Sequence, residues 1–420
     1  MDVLLVTLGT AGDVHPFVAL GCELKKRQHR VTLVTNETFQ PLAERVGLDF
    51  ISLGTAEHYQ SVLAEPDVWN PTRGFQILVR EMIHGCMRLA YHTVADARKK
   101  NTLVISPCYL YGARIAAEKF SIPHVSVVLQ PASIWSIEEP VSIQAFSWSR
   151  YFPKWIQRLL ARGFGELVLE RMLAPETNRF RREIGLPFAQ KIATKWLYSP
   201  DSVVALFPQW FATPQSDWPP SLYMGGFISH EDRDQLDLSE SCKQFIDAGS
   251  APIVFTPGSG HCHASSFFAT AVKACALLGE RAIFLSGFHN HIPKKLPPAI
   301  RHFEYAPFDR VFPLCKAVVH HGGIGTTAKA IRAGVPQLIM PMAYDQPDNA
   351  NRVQALGIGD FLRPKRFTAD NVAEKLQVLL RSQQVQKQCQ KLAADLCASD
   401  ALIDACTEIE RVGKYCKIIL

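Results

Sequence analysis

Short apolar runs recur along the chain, each followed by a glycine-bearing turn and then by apolar residues at helical spacing. In the first half the runs are residues 3–8, 31–34, 103–106, 124–129, 203–207 and 223–227. In the second half they are 253–256, 282–285, 317–320 and 337–340. A continuous apolar run suits a strand buried on both faces of a parallel sheet, and the helical stretches between, such as those through Lys26 and over 112–119 and 264–278, suit crossovers. The alternation predicts an α/β protein built twice. It implies an N-terminal domain over 1–228, a polar linker and start of the second domain over 229–250, and a second domain over 251–398. A C-terminal helix over 399–420 is placed to pack back on the first domain.

The segment 131–200 breaks the alternation. Phe152, Trp155, Ile156, Leu159, Leu160, Phe164, Leu167 and Val168 fall at helical spacing beside Lys154, Arg158 and Arg162. The expected element is an amphipathic helix packed on the domain with a solvated basic face; a wall for a greasy acceptor, or a surface touching membrane, is the sharper alternative.

Composition narrows the class. A net charge of +6 over 420 residues, with Lys and Arg scattered, gives no footprint for nucleic acid. Eleven cysteines without a CxxC pair read as reduced thiols in the cytoplasm. No apolar stretch reaches the length of a transmembrane helix.

Chemistry concentrates in the turns. Residues 318–327 read Val-Val-His-His-Gly-Gly-Ile-Gly-Thr-Thr, a strand running into a glycine-rich helix start. Glycines admit close approach of a ligand, and the free amides of a helix start attract anions. His320, His321, Gly323, Gly325, Thr326 and Thr327 are therefore the expected diphosphate site, with Gly258 and Ser259 of the 257–260 turn as a second phosphate contact. The next strand delivers Asp345, Gln346 and Asn349 to the same rim, where a carboxylate and a carboxamide suit sugar hydroxyls. In the first half, Gly9 to Pro16 places Asp13 at a helix start; it serves equally as a general base or as a plain cap. Asp232 and Asp234 in the linker, and His261, Cys262 and His263 in a loop, make poor metal sites, so no metal and no cofactor is expected.

With these residues assembled, the chain resembles the GT-B glycosyltransferases of family 1 over nearly its whole length. The motifs that carry the likeness are residues 9–16 (GTAGDVHP), 320–327 (HHGGIGTT) and 341–349 (PMAYDQPDN). The resemblance implies two Rossmann-like domains facing each other across a cleft, and inverting transfer of a sugar from a nucleoside diphosphate. It makes Asp13 the base, with His15 as the nearby substitute, and gives the sugar to Asp345 and Gln346. The nucleobase falls to the loop Tyr305, Ala306 and Pro307. Ala328 stands where many members carry a ribose-binding glutamate. Segments 69–71, 174–176, 206–212 and 217–219 are similar to rhamnosyltransferases that make glycolipids. This implies dTDP-rhamnose as donor and a hydroxyacyl lipid such as 3-(3-hydroxyalkanoyloxy)alkanoate as acceptor, held by Phe152, Trp155 and Leu159. UDP-glucose with a lipid, sterol, terpenoid or polyketide acceptor is the alternative, and a non-catalytic subunit binding nucleotide sugar or lipid is another.

Overall fold

The computed structural model describes residues 1–70, 72–141, 152–228, 237–258 and 264–415. The chain divides into two compact units, Met1–Ser229 with Asp400–Leu420, and His230–Ser399.

The first unit is a seven-stranded parallel sheet: β1 (Asp2–Val6), β2 (Arg30–Thr35), β3 (Asp49–Ser52), β4 (Thr102–Pro107), β5 (His124–Val128), β6 (Ser202–Ala205) and β7 (Leu222–Met224). Its order is β3-β2-β1-β4-β5-β6-β7. β1 pairs with β2 on one side and β4 on the other, Leu5 standing opposite Leu33 and Ile105. Val3 and Leu5 are buried as completely as Leu4 and Val6, because helices cover both faces. The C-terminal helix Ala401–Tyr415 belongs to this unit. Arg27 reaches its Thr407 hydroxyl at 3.1 Å and its Ile403 carbonyl at 3.0 Å, His29 Nε2 lies 2.7 Å from Glu410, and Ser202 donates to Glu408 at 2.7 Å.

The second unit repeats the plan with six parallel strands: β8 (Ile253–Thr256), β9 (Ala282–Leu285), β10 (Ile300–Phe303), β11 (Ala317–His320), β12 (Gln337–Ile339) and β13 (Gly359–Phe361). The order is β10-β9-β8-β11-β12-β13. Side chains alternate between two cores: Ile253 and Phe255 pack with Phe267, Phe268 and Leu376, while Val254 packs with Val311, Phe312 and Ala330. In each sheet the chain starts in the middle, builds outward one way and then the other. The reversal falls between β1 and β4, and between β8 and β11. Open parallel sheets bind ligands beyond the carboxyl ends of the strands at that reversal.

Three strands escaped the sequence reading: β3, β10 and β13. All lie at sheet edges, where burial on one side only leaves a short mixed sequence such as Ile-Arg-His-Phe in place of an apolar run.

Candidate active site

At the first reversal, β1 ends and Gly9 turns the chain with φ +127, a conformation that side chains disfavour. A methyl group there would also stand 2.4 Å from Asp13 Oδ2, so the carboxyl is seated against a residue that must lack a side chain. Asp13 lies in the first turn of the helix Ala11–Lys26. Its Oδ2 accepts from the Thr10 amide at 2.8 Å and from the Thr10 hydroxyl at 3.1 Å. The residue keeps a partly open edge, yet the carboxyl is set deep among protein atoms. Desolvation pushes its pKa up from 3.8 to about 6, with both Thr10 contacts opposing the rise. Tyr109, just past β4, comes to the same place: its hydroxyl donates to the Leu8 carbonyl at 2.8 Å, and burial together with the Asp13 charge raises its pKa. His15 is two residues along the helix from Asp13, roughly 200° around its axis, so the two side chains leave on different faces.

At the second reversal the turn after β11 is built around His320. The ring is fully buried. Its Nδ1 accepts from the Gly322 amide at 3.1 Å, which places the proton on Nε2, where it donates to Gln337 Oε1 at 2.9 Å. Burial lowers its pKa to about 4, against the Gln337 hydrogen bond. Both nitrogens are committed inside the protein, and a neutral, enclosed imidazole fixes the turn. Thr327 is likewise turned inward, its buried hydroxyl donating to the Gly323 carbonyl at 3.0 Å. What the turn does offer is backbone. The helix Ile324–Arg332 has no preceding turn to accept from the amides of Ile324, Gly325 and Thr326. A methyl group on exposed Gly325 would meet nothing within 4 Å, so approach to those amides is open. His321 lies against the turn that follows β8. A side chain on Gly258, itself at φ +92, would come within 2.5 Å of its ring. Ser259 lies outside the described residues, as do Asp232, Asp234, His261, Cys262 and His263.

The rim after β12 is braced by buried amides. Asn349 Nδ2 donates both to the Gly322 carbonyl at 2.9 Å and to Asp345 Oδ2 at 2.7 Å, tying the turn after β11 to the rim carboxylate. Gln346 is 2% exposed, and its Oε1 accepts from the amides of Met342 and Ala343 at 2.8 and 3.2 Å. Its carbonyl end is therefore spent on the loop, and only the NH2 end can turn to a ligand. Tyr344 takes φ +58, a left-handed conformation that costs a bulky residue energy and marks a shaped loop. After β10, Ala306 and Pro307 are buried while Tyr305 is exposed, so one aromatic face of that loop is open. Phe152, Trp155 and Leu159 are 42%, 66% and 62% exposed. The expectation of a helix packed through its apolar stripe is thereby corrected in part.

Thr10, Tyr109, Gln337 and Asn349 are the residues whose supporting roles the sequence left unassigned. Thr10 had a signal, since Thr-x-x-Asp at a helix start is a capping pattern. Tyr109 had none, because only the sheet order brings it beside β1.

Two parallel-sheet Rossmann-like units with glycine turns at both reversals define the GT-B architecture. Comparison with known proteins agrees. Residues 3–133 match the glycosyltransferase family 28 N-terminal domain, and residues 273–410 match the erythromycin biosynthesis protein CIII-like C-terminal domain. A sterol 3-beta-glucosyltransferase of Neosartorya fischeri is 26% identical over 446 aligned residues covering 100% of this chain and 30% of that protein. The structure is similar to glycosyltransferase VinC in complex with dTDP, with TM-score 0.71, 22% identity, and 99% of this chain and 100% of that one covered. It is also similar to spinosyn rhamnosyltransferase SpnG complexed with thymidine diphosphate, with TM-score 0.64, 17% identity, and 96% and 98% covered. The chain thus carries a match to a glycosyltransferase N-terminal domain over residues 3–133, and its fold is that of GT-B glycosyltransferases.

Proposed function

We propose that this chain transfers a sugar from a nucleoside diphosphate to the hydroxyl of a lipophilic acceptor, with inversion and without a metal. The observation that carries the reading is Asp13, a carboxyl poised by burial at about 6 and held by Thr10 at the end of β1. At neutral pH it is ionised yet basic enough to take a proton from an alcohol in the transition state. The acceptor oxygen attacks the anomeric carbon opposite the diphosphate, its proton passes to Asp13, and the carbon–oxygen bond to phosphate breaks with the electron pair leaving on the diphosphate. The amides of Ile324, Gly325 and Thr326, with the helix dipole behind them, meet that charge. Asp345, steadied by Asn349, receives a sugar hydroxyl.

For substrates, rhamnose from dTDP-rhamnose and a 3-(3-hydroxyalkanoyloxy)alkanoate acceptor form the favoured pairing. It is supported by the segments similar to glycolipid rhamnosyltransferases and by the thymidine diphosphate named with SpnG. UDP-glucose with a sterol or related acceptor is the second reading, favoured by the sterol glucosyltransferase that matches the chain end to end. The cytoplasm is the proposed compartment.

A panel of dTDP-rhamnose, UDP-glucose, UDP-GlcNAc and GDP-sugars against hydroxyacyl lipids, read by mass spectrometry, tests this. The reading expects a deoxyhexose adduct from dTDP-rhamnose alone. Nucleotide release without acceptor would indicate an epimerase, and binding without turnover of any donor a non-catalytic subunit.

A further inference from the structure

Among the described residues twelve large hydrophobic side chains are exposed, and five of them, Phe152, Trp155, Leu159, Leu167 and Val168, fall within one short stretch of chain. The helix Lys154–Gly163 turns its buried side, Ala161 with the half-buried Ile156 and Leu160, toward the unit. At about 100° per residue, the opposite side carries Trp155, Leu159 and Arg162 within roughly 60°, flanked by Lys154 and Arg158. Every residue on that outward side is therefore apolar or cationic. A solvated helix face mixes signs and avoids tryptophan. This one instead pairs a tryptophan and a leucine with three cations.

The elements that follow also expose apolar and basic side chains. Leu167 and Val168, 57% and 43% exposed, lie in the turn Phe164–Leu169, and the turn Ile192–Trp196 packs beside it. A methyl group on Gly165 would be 3.2 Å from the Thr194 methyl, and Glu170 accepts from the amides of Ile192 and Ala193 at 3.0 and 2.9 Å. That sets the turn carrying exposed Lys191 and Lys195 beside the element that follows the helix. Among the described residues the acids on these elements are few: Glu138 pairs with Arg158, Glu170 is spent on the two amides, and Glu166 is exposed.

We infer that this outward face is a docking surface for an anionic lipid bilayer, with Trp155 and Leu159 entering the headgroup boundary and Lys154, Arg158 and Arg162 meeting lipid phosphates. No described helix is long and apolar enough to cross a membrane, so the contact is interfacial. The inference concerns binding to a surface and stands apart from the sugar and acceptor assigned above.

The test is flotation of the full chain with vesicles of phosphatidylethanolamine and phosphatidylglycerol, against vesicles of phosphatidylcholine. The parent protein is expected to float with the anionic vesicles, less so as salt rises. Trp155→Ser combined with Leu159→Ser should lower the bound fraction at least about tenfold with an unchanged unfolding midpoint, since both side chains are exposed. Lys154→Gln with Arg162→Gln should remove the preference for anionic lipid. In a second readout, brominated acyl chains should quench the tryptophan emission of the parent more than that of Trp155→Phe. A parent that stays unbound, a double variant that floats as well as the parent, or a parent dimer that the double variant returns to monomer would overturn the proposal.

Discussion

The turn after β1 and the turn after β11 both stand at a sheet reversal, the first after the strand that opens its sheet and the second after the strand that begins the return, yet they do opposite things with their ionisable groups. The first keeps a carboxyl at a partly open edge, raises its pKa to about 6 and leaves it a proton acceptor. The second buries an imidazole, lowers its pKa to about 4 and spends one nitrogen on the Gly322 amide and the other on the Gln337 side chain. The lesson is that position at the sheet reversal marks where ligands come, while burial and hydrogen bonding decide whether a side chain or the backbone meets them. In the proposed reaction the first unit meets them with a side chain, and the second with the open amides at the start of a helix, which the buried histidine braces.

The largest effect that separates the two turns is on turnover. Asp13→Asn should lower kcat by about 10²–10⁴-fold while thymidine diphosphate binds as in the parent, because the substitution removes the proton acceptor and leaves the second unit untouched. The fold should tolerate it. A carboxyl whose folded pKa lies above its unfolded value favours the folded state most at low pH, and that contribution is lost as pH rises through about 6. Above that pH the neutral Asn avoids burying a charge, so the unfolding midpoint at pH 8 should be no lower than the parent's.

His320→Ala should break the comparison from the other side. It leaves the Gly322 amide and the Gln337 carbonyl oxygen without their partner in a buried site, at a cost of about 2–4 kcal/mol in stability. Donor affinity should fall with it, as the turn relaxes. Weaker donor binding with full stability, by denaturant unfolding and titration calorimetry, would return the ring to direct phosphate contact.

Much of this was legible in the chain. The central strands announced themselves as apolar runs because both faces of each sheet are covered, and the glycine turns showed where the backbone must approach a ligand. Edge strands β3, β10 and β13 did not, since exposure on one side dilutes the apolar signal. The two histidines of the second turn read alike in sequence. Only the pairing of β11 with β12, which sets His320 beside the strand that carries Gln337, distinguishes the braced one. Asn349 likewise gains its role from the fold, because the Gly322 carbonyl it holds lies far away in sequence. Helical spacing identified the apolar and cationic positions of 154–163, but it could not say which side faces out.

The proposed reaction stands or falls with Asp13 as its base. The pH dependence of kcat/KM for the wild-type chain, measured with saturating donor and limiting acceptor, tests it most directly. A base must be unprotonated to work, so the rate should rise with pH through an apparent pKa of about 6 and then level off. A profile that is flat from pH 5 to 8, or that Asp13→Asn lowers without changing its shape, would contradict it.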